Sequence, residues 1–339
     1  MTPRRPEPQA ADRQLSYAAA IREALEEELA RDPALLLLGE DIGEPGGVFG
    51  VTQGLWQRFG PHRVLDTPIS EAAIVGTALG AALAGIPVVV EIMFGDFATL
   101  AMDQIVNQAA KLRYMTGGQV NVPLVIRMVT GTAGATAAQH SQSLEAWFTH
   151  TPGLKVVTAA TPYDAKGLLK AAIRDPDPVL FFEHKLLYTS RGAVPASDYT
   201  VSLGSGRVVR EGTDVTVLAY LAMVPRALAA AEAVAAEGIS VEVWDPRSLV
   251  PFDRAGLRRS LARTGRLVIL HEAPRRAGFG AEVAALVAEE CFDLLRAPIV
   301  RVAGLNAPVP YAPELEDAVL PGEARIVQGI RAVMAAGRP

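Results

Sequence analysis

Residues 66–97, DTPISEAAIVGTALGAALAGIPVVVEIMFGDF, constrain the fold of this chain more than any other stretch. Thr67 and Pro68 end whatever precedes them, because the residue before a proline is pushed to extended geometry. Ser70 is placed to cap a new helix, and Glu71 in its first turn suits the helix dipole. That helix is built from small residues (Ala72, Ala73, Gly76, Ala78, Gly80, Ala81, Ala82, Ala84), so another backbone can pack closely on it. Gly85 and Pro87 close it. Val88, Val89 and Val90 then open a strand with no polar face, the pattern of a strand covered on both sides in a parallel sheet. Glu71 is thus a carboxylate among apolar neighbours, open to two readings: a partner of the helix dipole or a working acid.

The same alternation continues along the chain. The spacing predicts a helix over 15–30 with Glu26, Glu27 and Glu28 on a solvated face, a strand over 35–38, and a glycine-rich loop, GEDIGEPGGVFG. That loop fits neither the dinucleotide fingerprint nor the P-loop. A short helix over 51–59 and a strand at Val64 and Leu65 lead into the Glu71 helix. Next come a helix over 96–115, with Leu100, Ile105, Ala109 and Leu112 inward, and a strand over 122–128. A small, polar loop over 130–139 of mobile type ends at His140. A helix over 144–150, a strand over 155–159, a helix over 162–174 and a strand over 179–183 complete the block. Strand–helix alternation implies a parallel sheet covered on both faces. Residues 191–207 are rich in Gly, Pro and Ser and read as a linker. Beyond it, strands at 215–220, 241–244, 267–270 and 299–302 alternate with helices at 224–237, 253–264 and 280–295, a second, smaller α/β domain. The expected division is a loose tail 1–14, a first domain 15–190, the linker and a second domain 208–339.

A length of 339 residues suits two cores, and half of the residues are hydrophobic. A net charge of -5 argues against nucleic acid as the main partner. The single Cys291 excludes an internal disulfide and a multi-cysteine metal site, and fits a reducing, cytoplasmic setting. No apolar run reaches the ~18 residues of a membrane span, and residues 1–13 show no targeting core. There is no HExxH and no GxSxG, which argues against a catalytic zinc or a serine hydrolase. Of five histidines, His140 alone sits in a small-residue loop, where an imidazole can move protons near neutral pH or simply face solvent. His184 and His271 fall at strand ends, where parallel sheets place ligands, although most such histidines are structural.

The segments GEDIGEPGGVFG, DTPISE, EIMFGDF, DQIVNQAAKLRYMTGG, QHSQSLEAWF, PGLKVV, DAKGLL, FFEHKLLY, DPRSLVPFD and HEAP, in this order, carry a resemblance. From about Leu15 to the C-terminus the chain resembles the beta subunit of the thiamine-diphosphate-dependent decarboxylating component of 2-oxoacid dehydrogenase complexes. The resemblance implies an α/β chain of two parallel-sheet domains, a thiamine-diphosphate pyrimidine-binding type followed by a transketolase C-terminal type. It implies that Glu71 bonds a nitrogen of the cofactor's aminopyrimidine and so helps the thiazolium carbon lose its proton. It implies that Ile69, Met93 and Phe97 line the pyrimidine. It gives His140 a place near the channel mouth and a part in acyl transfer to the lipoyl group. Leu124, Ala172, Ile173, Asp175 and Asp177 fall where relatives hold a structural potassium ion. Asp177 stands where several relatives have Asn, and the other ligands there are backbone oxygens.

The family's diphosphate motif is GDG followed downstream by Asn, holding magnesium. Here Gly95-Asp96 is followed by Phe97, and no GDG occurs. The resemblance therefore implies an alpha subunit that supplies Mg2+ and the diphosphate site, a heterotetramer of two alpha and two beta subunits, and a lipoyl-bearing acyltransferase core as partner. The substrate is a small 2-oxoacid, pyruvate or a branched-chain one, or acetoin. GGVFGVTQGL, TPYDAKGLL and EHKLLY look nearest to acetoin dehydrogenase; HEAP, AGFGAE and EECF look nearer to branched-chain 2-oxoacid dehydrogenase. Two competitors are a non-catalytic scaffold subunit on the same fold and a self-sufficient transketolase-like synthase. Glu71, Phe97 and His140 speak against the first, and the missing diphosphate motif against the second.

Overall fold

A computed structural model describes residues 13–336, in two compact units. Of these residues, the first unit takes those up to Thr130 and then Phe148–Leu203; the second takes Gly131–Trp147 and those from Gly204 to residue 336.

The first unit is built on a parallel sheet of β2 (Leu36–Gly39), β3 (Val64–Asp66), β4 (Val88–Ile92), β5 (Leu124–Thr130), β6 (Lys155–Thr158) and β7 (Val179–His184). Their order is β6-β7-β5-β4-β2-β3. Every residue of β4, β5 and β7 is buried, which is why these strands read as unbroken apolar runs. The small-residue helix α3 (Glu71–Leu83) packs on β4. Ser70 is its N-cap by backbone geometry, but its hydroxyl makes no capping bond, contrary to expectation.

Four expectations are corrected here. First, of the expected tail 1–14, residues 1–12 lie outside the described residues. Arg13 and Gln14 belong to a strand, β1 (Arg13–Ser16), antiparallel to β8 (Arg191–Val194). Second, Glu28 is not solvated. It is fully buried where α1 (Tyr17–Arg31) packs on α6 (Pro162–Ile173), with Arg31 Nε at 2.7 Å and Arg174 Nη2 at 2.6 Å neutralising it.

Third, the expected helix 96–115 is three pieces: a tight 3-10 run Gly95–Ala101, a wide π-helical run Asp103–Ala109, and α4 (Ala110–Met115). Tight and wide turns shift the helical phase, so Ile105 and Ala109 are buried while Leu100, expected inward, is 62% exposed. Fourth, the expected linker 191–207 starts as strand β8. Its Val201 N–H donates to Gly167 O of α6 at 3.0 Å, and Tyr199 stacks on Tyr163 with ring centres 4.6 Å apart. A side chain at Gly167 would meet both Val201 and Tyr199 within 2.7 Å, so this stretch is packed against the helix.

The second unit holds β9 (Arg207–Arg210), β10 (Val215–Ala219), β11 (Val241–Asp245), β12 (Ser248–Val250), β13 (Leu267–Pro274) and β14 (Val300–Gly304). Five of these form a sheet in the order β14-β13-β10-β11-β9, parallel except for β9. Helices α7 (Met223–Ala235), α8 (Arg254–Thr264) and α9 (Phe279–Glu290) lie near their expected places. Two more, α10 (Pro313–Val319) and α11 (Glu323–Ala335), follow residue 302, where no element is expected from the sequence. Residues 337–339 of the expected second domain lie outside the described residues.

Candidate active site

Ligands of parallel α/β sheets bind beyond the carboxyl ends of the strands. In the first unit that edge collects Glu40 after β2, Thr67 to Glu71 after β3, Met93 and Phe94 after β4, and His184 at the end of β7. The glycine-rich loop after β2 is fixed by Asp66: Gly43 N–H donates to Asp66 Oδ1 at 2.7 Å, and a side chain at Gly43 would meet that carboxylate at 2.4 Å. Thr52 closes the loop, its hydroxyl donating to Ile42 O at 2.8 Å.

Glu71 opens α3 and is only 9% exposed, while the neighbouring Ile69 is 76% exposed. Glu40 lies within electrostatic reach of it: burial, then the charges of Asp41 and Glu71, raise the Glu40 carboxyl above its ordinary range. Three carboxylates, Glu40, Asp41 and Glu71, thus gather negative charge at this edge.

Met93 and Phe97 are half-buried on the segment after β4. Phe97 is edge-on to Phe94 (5.8 Å), Phe94 edge-on to Phe49 (6.2 Å), and Phe49 stacks on Tyr188 (4.8 Å). The Lys185 ammonium lies 5.0 Å from the centre of the Phe94 ring. This aromatic run is a surface on which a flat ring can lie.

Beneath it is a buried ion network that the sequence reading missed. Arg127 on β5 forks onto Glu183 of β7, and its remaining nitrogen reaches Glu91 of β4 at 2.7 Å. Tyr188 Oη donates to Glu183 Oε2 at 2.8 Å. Burial, and then the second carboxylate Glu91, raise the Glu183 carboxyl against the pull of Arg127. Each of the three apolar strands carries one charge near this edge, a signal available in the sequence.

His140 belongs to the second unit, on the segment Gly131–Trp147. Ser141, Ser143 and Leu144 just after it line a cavity of about 400 Å³, together with Glu272, Arg276 and Asn306. His184 is buried and its Nδ1 accepts Leu186 N–H at 3.2 Å; His271 is buried with Nδ1–H donating to Ala273 O at 3.1 Å. Both bonds are local and structural.

Of the potassium positions, Leu124 begins β5, Ala172 and Ile173 end α6, and Asp175 and Asp177 lie in the turn before β7. The two carboxylates already have cations. Lys155 Nζ sits 2.6 Å from Asp175 and 3.2 Å from Asp177, and Arg113 binds the other Asp177 oxygen. Burial pushes the Asp177 carboxyl up, but the bonds from Arg113 and Lys155 outweigh it and hold it below its ordinary range. Carboxylates at these positions therefore do not fit the ion; only main-chain oxygens remain for it. Among the described residues no group of three or more His, Cys, Asp or Glu side chains is placed to hold a metal.

Comparison with known proteins gives the family. Residues 13–191 match the transketolase pyrimidine-binding domain and residues 204–326 the transketolase C-terminal domain. The two in this order define a transketolase-type chain of the thiamine-diphosphate-dependent enzymes. The beta subunit of acetoin:2,6-dichlorophenolindophenol oxidoreductase of Cupriavidus necator is 48% identical, across 96% of this chain and 99% of its own. The 2-oxoisovalerate dehydrogenase beta subunit of Bacillus subtilis is 46% identical (89% and 93% covered). A mitochondrial pyruvate dehydrogenase E1 beta subunit of Oryza sativa is 45% identical (95% and 87%). A solved split-gene transketolase, an inactive beta4 tetramer, shares the fold with a TM-score of 0.77 at 24% identity, covering 96% of this chain and 99% of its own. The chain belongs to the family of E1 beta subunits of the pyruvate, branched-chain 2-oxoacid and acetoin dehydrogenase complexes.

Among the described residues no helix is long and apolar enough to cross a membrane.

Proposed function

We propose that this chain is the beta half of a thiamine-diphosphate-dependent dehydrogenase that cleaves a small 2-oxoacid and passes the acyl group to lipoyl on an acyltransferase core. The observation that carries the reading is Glu71, a nearly buried carboxylate at a helix start on the sheet's ligand-binding edge, in a chain with no diphosphate motif. The cofactor supplies the carbon nucleophile and the electron sink. Glu71 bonds a nitrogen of the aminopyrimidine, with the Glu40 carboxyl within electrostatic reach of it. Met93 and Phe97, with Ile69 at the rim, line the ring and exclude water. His140 handles the proton of the acyl-transfer step.

An alpha subunit supplies Mg2+ and the diphosphate site, in a heterotetramer of two alpha and two beta subunits. A potassium ion, where bound, is held by main-chain oxygens near Leu124, Ala172, Ile173, Asp175 and Asp177. The lone, buried Cys291 supports a reducing, cytoplasmic setting. Acetoin is the second reading for the substrate, favoured by the 48% identity to two acetoin oxidoreductase beta subunits.

The test is reconstitution with an alpha subunit, with pyruvate, branched-chain 2-oxoacids and acetoin offered in parallel. Activity is expected only in the mixture. Glu71→Gln should fold and lose about 10²-fold or more in turnover, the scale of lost acid–base catalysis. Wild-type-like turnover of that variant sinks the role given to Glu71.

A further inference from the structure

The segment that carries His140 is held in an unusual shape by carboxylates of its own unit. Gly131, Gly134, Ala135 and Ala137 have φ of 77°, 78°, 57° and 61°. Two alanines in the left-handed region within three residues are strained unless something outside the turn fixes it.

The fixing groups are visible. Glu316, on α10 and only 6% exposed, accepts two successive backbone N–H groups, from Gly134 at 3.3 Å and from the left-handed Ala135 at 3.0 Å, one on each oxygen. Among the described residues its carboxylate has no lysine or arginine within ion-pair distance; the loop amides are its hydrogen-bond partners. Glu272, on β13 and 8% exposed, accepts Thr132 N–H at 2.8 Å. Downstream, Tyr220 Oη donates to Glu145 Oε1 at 2.6 Å. Between these anchors the turn closes on itself: Thr136 Oγ1 donates to His140 O at 3.2 Å and lies 2.6 Å from Ser141 Oγ.

We propose that Glu316 is a positioning residue for His140. Its two carboxylate oxygens draw two successive amides to one point, which a side chain with a single acceptor does less well, and so select the left-handed turn that aims the His140 backbone. A buried carboxylate spent on loop amides makes sense only if the loop's shape matters more than the desolvation it costs. The inference rests on the part in lipoyl acylation given to His140 above, and it concerns that step alone. Glu316 belongs to the second unit, whereas Glu71 and the residues proposed to line the pyrimidine belong to the first.

The experiment uses the reconstituted alpha–beta complex carrying Glu316→Gln, Glu316→Ala or His140→Gln. Two rates are read: reductive acylation of a free lipoyl domain, and turnover with an artificial electron acceptor. Backbone amide exchange of the 131–143 segment is read on the same complexes. Glu316→Ala is expected to lower lipoyl acylation about tenfold or more while artificial-acceptor turnover stays within about twofold, as for a misplaced group. Amide exchange of the segment should rise. Glu316→Gln, which keeps one acceptor and the shape, should fall between and covers the case in which the alanine variant fails to assemble. Unchanged exchange and unchanged acylation overturn the proposal, as does an equal loss of both rates. If His140→Gln leaves acylation intact, the reading of His140 falls, and increased exchange in the Glu316 variants then shows a clamp without that use, which also overturns the positioning role.

Discussion

Arg127 holds Glu183 with two parallel bonds, Nε to Oε1 at 2.6 Å and Nη2 to Oε2 at 2.9 Å, between two strands with no solvent near either side chain. The strand register makes the pair possible. Arg127 lies opposite Glu91 across β4–β5, while Glu183 is two positions beyond Arg127's partner Phe181 on β7. One guanidinium thus serves two buried carboxylates. Arg127→Met leaves both acids buried without their cation. The expected loss is ~3–5 kcal/mol of stability, as for a broken buried pair. Urea unfolding of the full chain at neutral pH checks it; a loss under about 1 kcal/mol would mean that the network is solvated or that Glu183 is already protonated.

His271 gives a pH dependence of known sign. Burial, and next the nearby charge of Arg301 against a favourable bond to Ala273 O, lower its imidazole to about 4. Among the described residues its Nε2 has no hydrogen-bond partner, and a side chain at Gly278 or Gly280 would lie within 2.7 Å of the ring, so the glycine backbone packs closely on it. An unfolded chain takes up this proton below about 6.5, the folded one only near 4. Stability is therefore intact above pH 6.5 and lost as pH falls from 6.5 towards 4, by about 3 kcal/mol from this group. The difference in unfolding free energy between wild type and His271→Gln, followed across that window, should narrow as pH falls. A constant difference would show that His271 does not titrate differently in the two states.

The strands and helices that position the candidate site were legible because their sequence signals are local. Three β-branched residues, Val88 to Val90, directly after Gly85 and Pro87 read as a doubly covered strand that follows a helix end. What stayed hidden depends on partners distant in sequence. Glu28 looks like one of three solvated acids until Arg174 arrives from α6. Leu100 looks inward until a 3-10 run and a π run change the phase. β8 looks like linker because its partner is β1, far up the chain. By contrast α11 buries Ile326, Ile330 and Val333 at plain helical spacing, a signal that was there to be read. Ile69, Met93 and Phe97 stand out only through the family resemblance, and Glu71, which the residues alone leave between a helix-dipole partner and a working acid, gets its proposed role from it. The clamp on the His140 segment could not be read at all, because Glu272 and Glu316 reach it from much later in the chain.

Gly153 has φ of 97°, and a side chain there would lie 1.8 Å from Ala110 O. Ala110 starts α4, directly after the π-helical run. The glycine thus lets a turn pass against the backbone of a segment whose phase is already irregular. Gly153→Ala meets both the left-handed penalty and a main-chain clash that no rotamer relieves. It should cost more than about 2 kcal/mol. Gly60→Ala is the control: φ is 81°, but nothing lies within 4 Å of the added carbon. Thermal unfolding of the two variants separates clash from backbone strain, and equal midpoints would show that packing at Ala110 yields.

Potassium can be tested through Asp177, because the carboxylates near the proposed ion are engaged elsewhere. Lys155 bridges Asp175 and Asp177, and Arg113 takes the remaining Asp177 oxygen, so an ion held in this turn has only main-chain oxygens to bind. Asp177→Asn removes a partly exposed ion pair and should itself cost about 1 kcal/mol or less. It leaves the backbone oxygens in place. Replacing potassium with sodium at constant ionic strength should therefore lower the melting temperature of wild type and Asp177→Asn by the same amount, in the complex with alpha subunit. Lys155→Met, which leaves both acids without their shared cation, should instead increase the dependence, since a bound cation then offsets their charge. A potassium response abolished by Asp177→Asn would place the ion on the carboxylate and break the argument from Lys155. No response in wild type would remove the ion from this chain altogether.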